Sequence, residues 1–225
     1  MKKADKAFIK KLILLFSLFI IISCSKNNNE ILLISPTVCS LKIGESLQLE
    51  TTLEAEFTTS NDFYAQVTNT GMILGMHAGK CEITARSGIQ ERIVSVEVLP
   101  NYTLYNEPCL DFNKTKKEII NMLGKPDIEE GNSIAYFYKQ TPASLSTQYI
   151  FKGDRLNAVN IFIHSEYFTQ IFNNILPERY NYIGYEAPYY TFINAYYAAD
   201  ATLFITFSKQ TGYNLYNLTF VPIGK

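Results

Sequence analysis

Carboxylates that lie near turns in the second half of this chain are the first residues that suggest chemistry. They are Asp111, Asp127, Glu129, Glu130 and Asp154. A pair of such groups could hydrolyse a glycoside, one carboxyl protonating the leaving oxygen while the other acts as base or nucleophile. Acids beside a glycine, as at Gly131 and Gly153, are more typical of solvated turns. We therefore interpret these acids as turn residues.

His164 and Ser165 are neighbours and could act as a general base and its nucleophile. Adjacent residues at the end of a strand point in different directions, however, and no Gly-x-Ser-x-Gly motif surrounds this serine. Ser165 is instead expected to cap a helix. The residues thus predict a protein that is not an enzyme.

Histidine and cysteine spacing gives no indication of a metal or a cofactor. His77 and His164 lie far apart, and the chain has no Cys-x-x-Cys motif. Cys39, Cys81 and Cys109 are an odd number, so they allow at most one disulfide among themselves. Cys39 with Cys81 is the expected pair if their Cα atoms lie within about 7 Å. Three buried thiols fit the sequence at least as well.

Tyrosine is the unusual residue of the second half. All but one of the 16 tyrosines follow residue 100. Tyrosine packs well in strands beneath a helix, which would explain most of them. Exposed tyrosines would instead favour protein contacts or stacking on sugar rings. The candidate binding surface, expected on the open face of the second sheet, consists of Tyr185, Tyr189, Tyr190 and Tyr196.

The N-terminus has the layout of an export signal. Five lysines precede the apolar-rich run from Leu12 to Ile22, which is about half as long as a membrane-spanning helix. Ile21-Ile22-Ser23-Cys24 resembles the lipobox of bacterial lipoproteins. The resemblance implies removal of residues 1–23, lipidation of Cys24 and anchoring to a membrane, with 24–30 as a tether. Ser25 resembles the pattern directed to an outer membrane in two-membrane bacteria.

The charge of the mature chain excludes one class of partner. The leader holds five of the 20 basic residues and one of the 21 acidic residues, which leaves a net charge of about −5. Nucleic-acid binding requires clustered Lys or Arg to neutralise phosphates. We therefore expect no nucleic-acid partner.

Residues 31–99 alternate short apolar runs with glycine turns, which predicts an all-β domain. Ile43-Gly44-Glu45-Ser46-Leu47-Gln48-Leu49, followed by Ala65-Gln66-Val67 and by Gly71, Gly75 and Gly79, resembles the bacterial immunoglobulin-like domain, group two. That resemblance implies a β-sandwich acting as a spacer or adhesion module. The family's tryptophan is absent, and Phe57 is expected in its place. The three glycines are expected at turns with positive φ.

Residues 101–225 are predicted to form an α+β domain with helices packed on an antiparallel sheet. Thr115-Lys116-Lys117-Glu118 has capping-box spacing, and Gly124 ends that helix. A second helix from Ser165 suggests tandem α-β-β-β units. The motif Thr-x-x-Glu-Ile-Ile-x-x-Leu-Gly-x-Pro is similar to the outer-membrane lipoprotein family SmpA/OmlA and to β-lactamase-inhibitor-protein-like folds, which bind proteins.

The expected function is a non-catalytic, membrane-anchored lipoprotein that presents a binding, adhesion or scaffolding module at the cell envelope to a protein or glycan partner. Two alternatives stay open from the sequence. One is an enzyme that processes envelope glycans or peptides, which would need a cleft where two carboxylates or a Ser/His pair converge. The other is a subunit of an envelope assembly complex.

Overall fold

A computed structural model of the chain describes residues 30–138 and 143–224. The predicted leader, Cys24 and all but the last residue of the tether lie outside these residues. Residues Leu32–Lys225 form one compact unit. Of the described residues, 50% are in strands and 10% in helices, and the sheets are sandwich-like. The predicted β-rich fold is confirmed, whereas an α+β class for residues 101–225 is not supported.

The N-terminal segment, residues 31–99, contains nine strands in three sheets. A four-stranded sheet has the order β2-β9-β8-β5, a three-stranded sheet the order β3-β7-β6, and β1 pairs with β4. The strands are β1 Ile34–Ser35, β2 Val38–Lys42, β3 Ser46–Gln48, β4 Glu50–Thr51, β5 Glu56–Thr59, β6 Ala65–Val67, β7 Met72–Gly75, β8 Gly79–Ser87 and β9 Gln90–Leu99. Alternate residues face a shared core in which Ile73, Ile83 and Val94 are fully buried.

Two glycines of this segment have different physical roles. Gly71 has a φ of +81°, and a Cβ there would lie 2.8 Å from the Phe57 ring, so both the turn and the packing require glycine. Gly75 was expected at a turn with positive φ, but its φ is not positive and it ends β7. A Cβ at Gly75 would lie 2.7 Å from the Lys42 carbonyl oxygen, so glycine is needed there for close packing.

Cys39 and Cys81, the pair expected if a disulfide forms, are not bonded to each other. Both thiols are free and buried, and Cys109 is also free. Cys39 on β2 and Cys81 on β8 each pair with Val96, because β9 lies between the two strands. Two strand spacings of about 4.8 Å place the Cα atoms roughly 9–10 Å apart, beyond the reach of a disulfide.

We call residues 101–224 the C-terminal segment. It begins with a linker, residues 101–114, and one regular helix, α1 Lys116–Leu123. The predicted capping box is present, since Glu118 N donates to Thr115 Oγ1 at 3.2 Å and Thr115 N donates to Glu118 Oε2 at 2.8 Å. Gly124 ends the helix, as predicted, with a φ of +86°. Ile119 is fully buried, whereas Leu123 is exposed, so the buried face of the helix is narrow.

An eight-stranded antiparallel sheet forms the rest of this segment, with the order β10-β11-β12-β13-β17-β16-β15-β14. Its strands are β10 Ile128–Glu130, β11 Ser133–Phe137, β12 Ser144–Lys152, β13 Arg155–His164, β14 Asn181–Glu186, β15 Tyr189–Ile193, β16 Leu203–Lys209 and β17 Leu215–Pro222. Four strands follow each helical piece, so the first group has one strand, β10, more than the predicted α-β-β-β unit. The last strands of the two groups, β13 and β17, pair at the centre of the sheet.

The second helical piece spans residues 165–175 and is irregular. It consists of a 3₁₀ turn Ser165–Tyr167, an α-helical turn Phe168–Gln170 and a π-helical turn Ile171–Ile175. Ser165 does not cap it as predicted, because its hydroxyl lies 2.5 Å from Asn214 Oδ1, to which it donates. Ile171 and Ile175 are fully buried and join the core on one face of the sheet.

Glu178 connects the N-terminal and C-terminal segments at the end of this piece. Its carboxylate oxygen Oε2 accepts hydrogen bonds from the backbone N of Asn101 and of Tyr102, both at 3.0 Å. Its carbonyl oxygen accepts a hydrogen bond from Ala78 N at 2.7 Å. One residue thus holds both the linker and the N-terminal segment.

Candidate functional site

The β14–β15 hairpin brings two of the four predicted binding tyrosines together. Tyr185 on β14 and Tyr190 on β15 are directly opposite in the register, and their ring centroids lie 4.6 Å apart. β14 is the edge strand of the sheet. Tyr185 is 55% exposed, whereas Tyr190 is half-buried against the core below it.

A bulge in β14 adds Tyr182 to the same face. Regular alternation would place residues 182 and 185 on opposite faces, since they are three positions apart. The register shifts between Tyr182 and Gly184, which inserts one residue and restores a common face. The Tyr182 ring accordingly lies 5.7 Å from that of Phe172 and 5.3 Å from that of Phe192.

Phenylalanines of the 165–175 piece form the base beneath these tyrosines. Phe168 stacks on Phe207 at 5.5 Å and lies 4.7 Å from Tyr216, while Phe172 contacts Tyr190 edge-on at 4.9 Å. We call the resulting surface the aromatic patch, and it consists of Phe168, Phe172, Tyr182, Tyr185, Tyr190 and Tyr216.

The aromatic patch is uncharged and able to donate hydrogen bonds. Burial raises the pKa of the Tyr216 hydroxyl, and the nearby Tyr190 and Tyr185 add to the effect. The group therefore stays protonated at neutral pH. Exposed rings with hydroxyl groups at their outer ends can stack on a partner and donate to it at once.

Tyr189 and Tyr196 lie elsewhere, so the four tyrosines do not form one surface. Tyr189 is exposed but alternates with Tyr190, which puts it on the opposite face of the sheet, paired with Ser208. Tyr196 packs edge-on against Phe63 at 5.1 Å and lies 5.8 Å from His77, both in the N-terminal segment. Burial raises the pKa of Tyr196. Its ring belongs to the contact between segments.

Three of the acids considered for catalysis have separate structural partners. Asp111 forms an ion pair with Lys114 at 3.5 Å, Asp127 Oδ2 accepts a hydrogen bond from Phe137 N at 2.8 Å, and Glu129 pairs with Lys116 at 2.9 Å. Within residues 30–138 and 143–224, no group of three or more His, Cys, Asp or Glu residues could hold a metal ion.

Sequence reasoning missed the base of the aromatic patch and one of its exposed members. Phe168 and Phe172 have the i, i+4 spacing of one helix face, which predicts packing against the sheet and not an exposed surface. Tyr182 is one of the 15 tyrosines after residue 100 but not one of the four predicted for the candidate surface. The bulge that turns it toward Phe172 has no signal in the local sequence except Gly184.

Comparisons with known proteins do not assign the chain to a family. No family model matches it, and no curated protein matches it. Similar solved structures include the S-layer protein rSbsC(31-844), with 15% identity and a TM-score of 0.28, covering 58% of this chain and 23% of that one. Domains 5-6 of the S-layer protein SbsC have 13% identity and a TM-score of 0.28, covering 87% of this chain and 84% of that one.

Domains 4-9 of the same S-layer protein give 14% identity and a TM-score of 0.27, covering 87% of this chain and 27% of that chain. This chain therefore spans less than a quarter of the first of these structures. At such TM-scores the likeness carries no inference about function. In the part of the chain that the structure describes, no helix has both the length and the hydrophobicity needed to cross a bilayer.

Proposed function

We propose that this protein is a lipid-anchored, non-catalytic binding protein of the cell envelope that captures a protein or glycan partner through the aromatic patch. The observation that carries the proposal is the exposure of Tyr182 and Tyr185, at 46% and 55%, above a packed base of aromatic rings. Rings held rigidly lose little side-chain entropy when a partner binds.

The kind of partner follows from the chemistry of the patch. Tyrosine is enriched among the residues that dominate protein interfaces, and its ring also stacks on the apolar faces of sugars. The patch contains no Lys or Arg, which disfavours a partner recognised mainly by its negative charge. A neutral glycan or an uncharged protein surface fits these properties.

Anchoring is part of the same proposal. Cys24 would carry the acyl chains and become the mature N-terminus, and the outer membrane is the expected location in a two-membrane bacterium. Two or more acyl chains suffice for stable membrane attachment, at about 0.8 kcal/mol per buried CH₂. Residues 31–99 would then serve as an immunoglobulin-like stalk, and the hydrogen bonds of Glu178 support a fixed orientation of the C-terminal segment on it.

Capture from crosslinked cells tests the binding surface. The double variant Tyr182→Ser with Tyr185→Ser should lose the partner that the wild-type chain retains, because both exposed rings are removed while the base stays intact. Tyr102→Ser is the matched control, since Tyr102 is 52% exposed but lies in the linker. Retention of the partner by the double variant, at the level of the control, would show that the patch is not the binding surface.

Treatment of the captured material separates the two classes of partner. Protease digestion should release a protein partner, and glycosidase digestion should release a glycan. If the double variant and the control Tyr102→Ser gave equal amounts of released partner after each treatment, the proposal would be contradicted.

Mass spectrometry of the mature protein tests the anchor. We expect a cleaved N-terminus at Cys24 with the mass of its acyl groups, and loss of both the acyl mass and the membrane fractionation in Cys24→Ser. An unmodified Cys24 or a retained leader in the wild-type protein would refute lipid anchoring without bearing on the aromatic patch.

A further inference from the structure

A cleft separates the N-terminal segment from the C-terminal segment on the side of the linker. Its volume is about 660 Å³, which is within the range of small-molecule sites, roughly 300–1,000 Å³. Tyr64 and Val98 line it from the N-terminal segment, Leu203 from the sheet, Tyr180 from the position just before β14, and Leu110 from the linker. The walls are mainly apolar, and several polar groups are placed among them.

Asn194 holds one of these polar groups, the Tyr64 hydroxyl, in place. Its Oδ1 accepts hydrogen bonds from Thr202 N at 3.0 Å and Leu203 N at 2.8 Å, and its Nδ2 donates to Thr202 Oγ1 at 2.8 Å. The same Nδ2 donates to the Tyr64 hydroxyl at 3.3 Å. Because the Tyr64 oxygen accepts that bond, its O–H remains available to donate to another group.

Tyr180 supplies a second hydroxyl at the inner wall. The residue is only 7% exposed, and its ring packs on Phe220 at 5.9 Å. Tyr180 is one of the residues that line the cleft. A hydroxyl in the wall of a mainly apolar cleft can orient a bound molecule by donating a hydrogen bond to it.

The charged groups of the cleft cancel in pairs. Lys80 and Glu97 form an ion pair at 3.4 Å, and both side chains are exposed. Arg179 lies within the wall and pairs with Glu107 at 2.5 Å. Glu178 also lies 3.7 Å from Arg179, so the groups around the cleft have no excess positive charge that would attract an anion.

We propose that this cleft binds a neutral, mainly apolar small molecule whose oxygen accepts hydrogen bonds from the hydroxyls of Tyr180 and Tyr64. A ketone, an ester or an ether with a ring or a short hydrocarbon body fits this description. The cleft and the aromatic patch share no residue, so this site is independent of the proposed envelope partner.

Both hydroxyls remain protonated donors at neutral pH. Burial raises the pKa of Tyr180 well above its ordinary value, and burial also raises the pKa of Tyr64. Neither group can therefore become an anion that would repel an acceptor oxygen.

Photolabelling with benzophenone tests the site in the full lipidated chain, held in detergent at a fixed micelle concentration. Benzophenone is a neutral aromatic ketone that inserts into nearby C–H bonds under ultraviolet light. We expect saturable adducts on peptides that contain Val98, Leu110 or Leu203. In Tyr180→Phe, the half-saturating concentration should rise about fivefold, the effect of one neutral hydrogen bond.

Two further variants and a charged probe complete the test. Tyr102→Phe should label as the wild type does, whereas Thr103→Trp, which fills the cleft from the linker, should abolish labelling. The anion 4-benzoylbenzoate should label more weakly than benzophenone. Adducts located outside the cleft, equal saturation of Tyr180→Phe and Tyr102→Phe, or stronger labelling by the anion would each overturn the proposal.

Discussion

Replacing Arg179 with methionine should lower the thermal stability of the folded unit by an amount that the structure allows us to work out. The Arg179 side chain is 3% exposed. Its Nη1 donates to the Ile175 carbonyl oxygen at 3.1 Å, its Nη2 donates to the Tyr102 carbonyl oxygen at 3.1 Å, and its Nε donates to Glu107 Oε1 at 2.7 Å. Methionine has a similar length and would keep much of the contact with the Tyr105 ring.

The free energy of unfolding lost in Arg179→Met comes from two unequal contributions. Two carbonyl oxygens lose a charged donor, at about 1–1.5 kcal/mol each. The Glu107 side chain is 49% exposed, so water screens its charge and the ion pair adds at most about 1 kcal/mol. The total is about 3 kcal/mol, which corresponds to a fall in the thermal midpoint of about 6–12 °C for a folded unit of this size.

Scanning calorimetry of the wild type, Arg179→Met and Lys80→Met measures this difference. Lys80 forms an exposed ion pair with Glu97, with 78% and 45% of the two side chains accessible, so its loss should shift the midpoint by less than about 2 °C. A fall in Arg179→Met no larger than that of Lys80→Met would refute the role of Arg179 in holding the linker.

Three further predictions concern other parts of the molecule. Burial against Phe63 lowers the pKa of His77, so the unfolded chain binds a proton at this residue more readily than the folded chain does. The contribution of neutral His77 to stability should therefore be fully present above about pH 6.5 and be lost as the pH falls below that value. Thermal midpoints at about pH 7.5 and 5.5 should therefore differ more in the wild type than in His77→Gln, and an equal difference would contradict the assignment. Alkylation of the denatured, unreduced protein should modify Cys39, Cys81 and Cys109, whereas a linked Cys39–Cys81 peptide would contradict the strand order. Tyr105 is buried with no partner for its hydroxyl among the described residues, so Tyr105→Phe should leave the thermal midpoint unchanged or raise it, and a clear fall would reveal a partner.

Elements with a strong local pattern were predictable from the sequence. Strand β13, Arg155–His164, is predictable because apolar residues alternate along it and Gly153 forms the preceding turn. Helix α1 carries both its capping box and its terminating glycine in the sequence. Strand β2 is harder to predict, since Val38–Lys42 is short and pairs in parallel with β9, which lies far along the chain.

The composition of the candidate site depended on contacts that the sequence does not encode locally. The hydroxyl of Ser165 bonds to Asn214, and no rule for helix caps could anticipate that partner. The bulge in β14 decides which side of the sheet Tyr182 occupies, and alternation from Tyr185 gives the wrong side. The cleft likewise depends on the Asn194–Tyr64 contact between segments. Tyrosine content therefore predicted a binding region but not its members.

The strand order of the large sheet has a consequence for biosynthesis. Each group of four strands runs inward from an outer edge, so β13 finishes the first group with one side unpaired until β17 has been made. The backbone N–H and C=O groups on that side of β13, a strand that carries the fully buried Val159, Ile161 and Ile163, would lack partners during that interval. A nascent chain that stalls before residue 215 would thus present a long apolar strand edge, the feature most prone to pairing with another chain.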